Sequence, residues 1–392
     1  MREQSEQPGQ PGGRDRAAPA AVPPYPERVR AALAAGGAGA GSGARGAWRS
    51  LGRAGLLREL YDLPEGRPAR VRPTALRDLL SAVDSACELG TTLGICVQAA
   101  SALPLLTARR SGRAVTDLAG RALAGESMLA LGATDAGSAG SDLTALTTSV
   151  DLDGDTVGVT GAKRWITNAT AADHAVVLAR HRPGDHFTSF ALVLVPLDAP
   201  GVTATPARTA FFAGAGLGDL RFDGVRLTRD HLVGSPGQGL ADFARGIATE
   251  RLAGGLWASA LARRVLRSTA TAVRRRVVRG RPLWDSDAVR LDLARAVLER
   301  ERLDALCQRA CLDAADRGHV DPTAAMLVKA GVADMLERVL GTCARLAGAD
   351  GFADGGPQLL RAETAMFGIA GGTTETALSG IADHLADLLA AG

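Results

Sequence analysis

The hydrophobic period of this chain changes twice, and that constrains its fold more than any other feature. In the first third, apolar residues recur at steps of three and four, as at Leu76, Leu79 and Leu80, which predicts a helix with one buried face. Further along the period falls to two, and it then returns to the helical value for the rest of the chain. The sequence therefore predicts three folded regions: an N-terminal helical domain at residues 26–125, a β domain at 126–237 and a C-terminal four-helix bundle at 238–392.

The β region is predicted in most detail. Ser149 to Thr160 predicts two strands joined by a turn at Asp153-Gly154-Asp155. Glycine, proline and aspartate separate the other strand candidates, which lie close together, as in an antiparallel sheet. Those further candidates are residues 175–179, 190–195, 202–205 and 220–227. The predicted fold class is α+β, with an antiparallel β domain between two helical domains.

Two helical segments carry specific expectations. The segment from Gly90 to Leu106 is almost wholly apolar or small, which predicts a helix buried on all sides. In the C-terminal region, Leu291, Ala294 and Leu298 form one apolar stripe, which Leu303, Leu306 and Ala310 continue.

Composition excludes several classes of function. The net charge is only +3 over 392 residues and no basic run is dense, so nucleic acid is not an expected partner. The five cysteines are odd in number, which argues against a disulfide framework, and no histidine completes a metal site beside Cys307 and Cys311.

The N-terminal residues and the apolar runs indicate where in the cell the protein is expected. Residues 1–25 are rich in Gln, Gly, Pro and Ala and are expected to be disordered. They contain no apolar core of a signal peptide, and no apolar run is expected to reach the roughly 20 residues that span a bilayer. The sequence therefore predicts a cytoplasmic protein with no membrane partner.

The segment Gly161-Ala162-Lys163-Arg164-Trp165-Ile166-Thr167-Asn168-Ala169 carries the strongest chemical signal. It brings an indole and a hydroxyl to one loop between two strands, where an indole can stack on a flat heterocycle and a hydroxyl can reach its ring nitrogen. A tryptophan in a β domain is also often plain core. Residue chemistry alone leaves both interpretations open.

This segment, with Ala172-Asp173 after it, resembles the acyl-CoA dehydrogenase family. Thr134-Asp135 and Ala139-Gly140-Ser141-Asp142 are similar to a loop of that family, with one extra residue between the halves. The resemblance extends from about residue 48 to the C-terminus, and the helical, β, helical order is the order of that family. The resemblance implies that the middle domain is an antiparallel β-barrel.

The resemblance implies a cofactor, FAD, and a role for each matching residue. Trp165 and Thr167 would contact the isoalloxazine ring, and Thr134 would contact the flavin from the neighbouring loop. Ser141 would bind the substrate. The implied reaction is α,β-dehydrogenation of an acyl thioester, in which a carboxylate removes the α proton and the β hydrogen leaves as hydride to the flavin.

The position of the catalytic base departs from the usual family pattern. Gly371 stands where that base is expected. A subgroup resembling isovaleryl-CoA dehydrogenase carries its base on another helix, directly before an arginine, and Glu250 followed by Arg251 matches that arrangement. Glu250 is therefore the candidate base and Arg251 a candidate substrate-binding residue. The alternatives are a surface glutamate paired with a nearby arginine and an enzyme that abstracts no α proton.

The resemblance to the FAD phosphate and adenine site is also incomplete. Arg276 and Thr373 match cofactor-binding residues of the family, whereas Arg279 replaces a phenylalanine and Arg345 a glutamine. Both replacements can bind pyrophosphate by charge, or can be solvated surface residues.

The leading hypothesis is an FAD-dependent dehydrogenase acting on an acyl-CoA or an acyl-carrier-protein substrate, in specialised biosynthesis. Its expected partners are an electron-acceptor flavoprotein and further copies of itself, as a homodimer or homotetramer. The alternatives are a flavin-dependent monooxygenase on the same fold and a non-catalytic partner subunit.

Overall fold

The computed structural model describes residues 22–37, 41–64, 69–107, 112–137, 140 and 142–390. The predicted disordered tail at residues 1–25 lies almost entirely outside the described residues, and so does Ser141.

Six helices and a short hairpin precede the sheet. The helices are α1 (Tyr25–Ala35), α2 (Gly43–Arg53), α3 (Pro73–Ala86), α4 (Leu89–Val97), α5 (Leu103–Thr107) and α6 (Arg113–Leu123), and the hairpin is β1 (Tyr61–Asp62) with β2 (Arg70–Val71). In α3, Leu76, Leu79 and Leu80 are buried as their spacing predicts, and Pro73 occupies the first turn, where its missing N–H has no helical partner to lose.

A π-helical turn, Gln98–Ala102, joins α4 to α5, so that Leu89–Thr107 forms one helical segment. Its length and composition alone would allow it to cross a membrane, so the expectation that no apolar run reaches that length was wrong. However, 89% of its most apolar window is buried inside the protein. The segment therefore serves as the central core helix, which confirms the prediction of a helix buried on all sides.

The sheet contains every strand that the sequence predicts. Its members are β3 (Leu129–Gly132), β4 (Ser149–Asp153), β5 (Thr156–Ile166), β6 (His174–Arg180), β7 (Phe190–Pro196), β8 (Val202–Pro206), β9 (Gly218–Thr228) and β10 (Leu232–Val233). Their order is β10-β7-β6-β4-β5-β9-β8, with β3 also paired to β6.

Two pairings differ from the predicted antiparallel arrangement, because β3 and β4 both run parallel to β6. β3 lies beside the first half of β6, and Ser149 of β4 lies beside its last residue, Arg180. β3 and β4 therefore both run alongside β6 in the same direction, and the loop 133–148 connects them. Among the described strands the pairing does not close into a ring.

The C-terminal part contains three long helices and three short ones within the described residues. They are α7 (Gly239–Arg275), α8 (Asp287–Arg317), α9 (Pro322–Ala347), α10 (Pro357–Thr364), α11 (Thr374–Asp383) and α12 (Leu385–Ala390), with a hairpin of β11 (Val277–Val278) and β12 (Arg281–Pro282). The expected fourth helix of the bundle is thus divided into short pieces.

The predicted stripe of α8 faces the core only in its second half, where Leu303 and Ala310 are buried and Leu306 is half-buried. In its first half the stripe faces outward. Leu291 is 57% exposed and Leu298 is 49% exposed, whereas Val289, Leu293 and Ala296 are buried. Two apolar stripes of similar spacing run along this helix, and only the packing of α7 and α9 decides which of them is covered.

Candidate active site

Thr134, Trp165 and Thr167 form a group that we call the indole cluster. Trp165 lies at the irregular end of β5 with φ of +57°, and its side chain is 52% exposed. Its backbone N–H donates to Asp219 Oδ1 at 3.0 Å. A bulky residue at positive φ stores about 1 kcal/mol or more of strain, so this backbone is held by its surroundings. The result is an indole presented outward, beside the partly exposed Thr167.

The loop 133–148 begins as an extra strand against the end of β5. The backbone N–H of Arg164 donates to the carbonyl of Thr134 at 3.1 Å, and that of Ala136 donates to the carbonyl of Ala162 at 3.0 Å. These bonds place Thr134 next to Trp165, as the resemblance implies.

A buried ion pair holds this loop, and no sequence pattern indicated it. Lys163 Nζ lies 2.5 Å from Asp135 Oδ1, and both side chains are fully buried. Lys163 also donates to the carbonyls of Leu178, at 2.6 Å, and Ala133, at 3.2 Å. Burial lowers the pKa of Lys163 to about 8, although Asp135 opposes that change.

Asp135 also binds the far end of the same loop. It accepts from the backbone N–H groups of Thr147, at 2.5 Å, and Thr148, at 2.7 Å. Burial alone would raise the pKa of Asp135, but Lys163 and these donors bring it below its usual value. A single carboxylate therefore ties both ends of the loop to the strand that carries Trp165.

Glu250, Arg251, Lys329 and Gly371 form a second group, the carboxylate cluster. Glu250 and Arg251 lie on α7, and Arg251 Nε donates to the carbonyl of Gly371 at 3.0 Å. A Cβ atom at position 371 would lie 3.4 Å from Glu250 Oε1. The carboxylate of Glu250 therefore lies beside the position where the usual base of the resembling family would begin its side chain.

The surroundings of Glu250 suit a group that accepts a proton. Burial raises the pKa of Glu250, while Ser101, Arg251 and Lys329 act in the opposite direction. The net pKa stays above the usual value for glutamate. A raised pKa makes the carboxylate a stronger base than one in water.

The helical segment Leu89–Thr107 makes contacts near both clusters. Asn168, next to Thr167, donates to the carbonyl of Gly94 at 3.1 Å. Ser101, two helical turns further along, is the side chain of this segment that influences Glu250. Seven residues of helix span roughly 10 Å, so these two contacts lie on one stretch of a rigid core helix.

The other residues predicted to bind the cofactor make contacts outside the two clusters. Arg276 donates to the carbonyls of Leu346, at 3.4 Å, and Ala347, at 3.1 Å, and so caps the C-terminus of α9. Arg345 pairs with Asp292 at 2.9 Å.

Two further residues of that set hold local backbone. Thr373 caps α11 by accepting from the backbone N–H of Thr376 at 3.1 Å. Arg279 is exposed with φ of +51° in the β11–β12 turn. The structure does not bring these side chains into either cluster, and their cofactor roles stay predictions.

Two family models match this chain. The acyl-CoA dehydrogenase middle domain matches residues 130–225, and the acyl-CoA dehydrogenase C-terminal domain matches residues 237–386. Together they account for more than half of the sequence and include both clusters.

The chain belongs to the acyl-CoA dehydrogenase family.

Curated relatives agree with this assignment. An acyl-carrier-protein dehydrogenase, MbtN, from Mycobacterium sp. (strain MCS) is 29% identical over 287 residues, which is 70% of this chain and 71% of the relative. The mitochondrial short-chain specific acyl-CoA dehydrogenase of Bos taurus is 30% identical over 174 residues, or 44% of this chain and 42% of the relative.

Solved structures of the acyl-CoA dehydrogenase family share the fold. A glutaryl-CoA dehydrogenase from Mycobacterium smegmatis, in complex with FADH2, superposes with a TM-score of 0.80 at 21% identity, over 92% of this chain and 93% of that one. An acyl-CoA dehydrogenase from Geobacillus kaustophilus reaches 0.78 at 22% identity, over 87% and 90%. The predicted fold class and the enzyme class, an FAD-dependent oxidoreductase, are confirmed.

Proposed function

We propose that this acyl-CoA dehydrogenase family member introduces a double bond between the α and β carbons of an acyl thioester, with Glu250 as the base. The observation that carries the proposal is the position of the Glu250 carboxylate, 3.4 Å from where a side chain at Gly371 would begin. Gly371 supplies no side chain at the usual position of the base, but the carboxylate of Glu250, on α7, reaches the same place.

The residues of the indole cluster fit a flavin. An aromatic side chain that is half exposed on a strained backbone presents a flat surface, and Thr134 and Thr167 add hydroxyl groups beside it. When bound, FAD supplies the acceptor for the hydrogen that leaves the β carbon with its electron pair. Trp165 would hold the ring, and the Asp135–Lys163 pair would keep Thr134 in place.

Glu250 would take the α proton onto its carboxylate. Burial disfavours its charged form, and proton uptake relieves that penalty, so the environment assists the transfer. Arg251 and Lys329 favour the ionised form of Glu250 and so oppose the rise in its pKa. Arg251 is committed to the carbonyl of Gly371, so we propose that it shapes the cavity around the substrate through that contact.

The carrier of the acyl group is the finer part of the proposal. The relative MbtN is named for acyl groups on a carrier protein, and the bovine relative for acyl-CoA. We propose that one of these two thioesters is the substrate, with a cytoplasmic role in specialised biosynthesis.

The test begins with an absorbance spectrum of the purified protein. Anaerobic titration with matched acyl-CoA and acyl-carrier-protein panels should bleach the flavin band. Glu250→Gln should keep the flavin and lose about 10³-fold in the bleaching rate, since general base catalysis contributes 10²- to 10⁴-fold. Glu27→Gln, which changes an exposed glutamate on α1 away from both clusters, is the matched control.

Other outcomes would replace the proposal. Full bleaching of the Glu250 variant would remove Glu250 from the mechanism. Rapid O₂-dependent hydroxylation with a reductase, and no bleaching by thioesters, would indicate the monooxygenase. A colourless protein that FAD does not reconstitute would indicate a non-catalytic subunit.

We further propose that the chain forms a homodimer or homotetramer. The support is the outer face of α8, where Leu291, Leu298 and Leu312 are 57%, 49% and 62% exposed. Light scattering of the wild type and of the double variant Leu291→Glu, Leu298→Glu would test it, and a monomeric wild type would refute it.

We also propose that an electron-acceptor flavoprotein reoxidises the reduced flavin faster than O₂ does. This step completes the proposed catalytic cycle.

A further inference from the structure

Lysine is almost absent from this chain, and both of its lysines are buried. Of the 45 Lys and Arg residues only Lys163 and Lys329 are lysines. Lys163 is fully buried and Lys329 is 4% exposed. All the other Lys and Arg positions hold arginine, whereas these two hold the compact ammonium group of lysine. An ammonium group fits a closed site that a planar guanidinium would overfill.

Each lysine anchors backbone beside one of the two clusters. Lys163 holds the loop that carries Thr134. Lys329, on α9, donates to the carbonyl of Phe367 in the 3-10 turn Ala365–Gly368. That turn leads directly to Gly371, beside Glu250.

Residues 365–372, which we call the glycine turn, are bound by cationic side chains from other elements at two carbonyl groups. Lys329 binds the carbonyl of Phe367, and Arg251 binds that of Gly371. Within the turn, the N–H groups of Ile369 and Ala370 share one acceptor, the carbonyl of Met366. The two cations therefore fasten the turn to α9 at Phe367 and to α7 at Gly371.

The position of the glycine turn determines the space around Glu250. Gly371 and Gly372 have φ of +73° and +91°, values that glycine adopts without strain. A Cβ atom at 371 would lie 3.4 Å from Glu250 Oε1, and one at 372 would lie 3.1 Å from an Arg251 nitrogen. Because these gaps are at or near van der Waals contact, even a small movement of the turn would change what the base contacts.

Groups from every neighbouring element influence Glu250. Ser101 comes from the helical segment Leu89–Thr107, Arg251 from α7 and Lys329 from α9. Glu250 in turn acts on Cys96 of the same helical segment, and Glu375, on α11, acts on Lys329. Lys329 is the one cation of this set that both anchors the glycine turn and lies buried.

We propose that Lys329 is a positioning residue for Glu250: its ammonium group anchors the glycine turn at Phe367 and holds a positive charge beside the carboxylate. The role of Glu250 as base rests on the proposed function, whereas the link between Lys329 and Glu250 is a property of the folded chain. The two parts can therefore be tested separately.

The first experiment measures the pH profile of anaerobic flavin bleaching in the holoenzyme. Lys329→Met should move the ionisation midpoint of the base upward, because a cation that favours the carboxylate is gone. Below the wild-type midpoint, the bleaching rate should fall about tenfold for each pH unit by which the midpoint rises. Lys329→Arg should restore the midpoint but not the plateau rate, since it returns the charge in a larger group.

The matched control is Arg338→Met, which removes a cation from the exposed side of the same helix. It should leave both the midpoint and the plateau unchanged. An unmoved midpoint in folded, flavin-containing Lys329→Met, or an equal change in Arg338→Met, would contradict the proposal.

The second experiment leaves Lys329 in place and needs no substrate. With lysine labelled with 13C at the ε carbon, the chain gives one signal for each of its two lysines, and both can be titrated in the wild type and in Glu250→Gln. The Lys329 signal should titrate at lower pH in the variant, because a neighbouring anion is lost, and the Lys163 signal should not move.

The two experiments separate the possible failures. If no thioester bleaches the wild type, the proposed function fails, and the lysine titration still decides whether Lys329 and Glu250 are coupled. If Lys329→Met does not fold, the same titration decides. Identical Lys329 curves in the wild type and in Glu250→Gln would overturn the proposal.

Discussion

The indole cluster and the carboxylate cluster are built in opposite ways. Thr134, Trp165 and Thr167 lie on adjacent, hydrogen-bonded segments of one sheet, and the Asp135–Lys163 pair beneath them has several backbone partners. The carboxylate cluster joins residues of α7, α9 and the glycine turn, through two cations that reach single carbonyls. Repeated backbone hydrogen bonds between paired segments fix the indole cluster, whereas the carboxylate cluster depends on individual side chains. Changes should therefore affect stability in the first region and the base in the second.

The largest stability effect should follow Asp135→Asn. It leaves Lys163 buried without a counter-ion, which typically costs about 3–5 kcal/mol. The free energy of unfolding, from urea titration, measures the loss. Asp117→Asn, which breaks an exposed pair with Arg113, should change it by less than about 0.5 kcal/mol.

The pH dependence sharpens this test. The pKa of Asp135 is lower in the folded protein than in the unfolded chain, so its stabilisation is present above the unfolded pKa and is lost as the pH falls through the folded value. The difference between the wild type and Asp135→Asn should therefore narrow in acid. A difference that stays constant down to acid unfolding would show that the charge of Asp135 is not the cause.

Trp165→Ala should have a smaller effect, and on the cofactor more than on the fold. The indole is 52% exposed, so little burial is lost in the free protein. Stacking contributes about 0.5–1.5 kcal/mol, so the Kd for FAD should rise up to roughly tenfold. Trp165→Phe should keep most of the affinity. A large fall in stability with unchanged FAD binding would instead identify Trp165 as structural.

The sharpest comparison comes from two glycines. Gly371→Ala and Gly224→Ala both place a side chain at positive φ, +73° and +60°, with a cost of about 1–2 kcal/mol each. The new methyl group at 371 meets Glu250 and Arg251, whereas at 224 it meets open space. Flavin bleaching should slow only in Gly371→Ala. Equal bleaching rates in the two variants would show that position 371 does not influence the base.

The sheet shows how far local pattern can predict structure. The turn at Gly154 and the strands around it follow from alternation and turn chemistry, which depend on neighbours in sequence. The parallel pairing of β3 with β6 does not follow, because it joins residues about 45 positions apart. In α8, the spacing of Leu291 and Leu298 predicts a stripe correctly but not the side that is covered.

The sequence by itself determined the helical, β, helical order, the strand that bears Trp165, and the absence of a side chain at Gly371, because each is a property of consecutive residues. Only the tertiary structure decided that Glu250 lies beside position 371 and that Lys329 anchors the turn leading to it. Those contacts join residues that are 121 and 38 positions apart, and they arise from the packing of α7 against α9, which no local periodicity encodes.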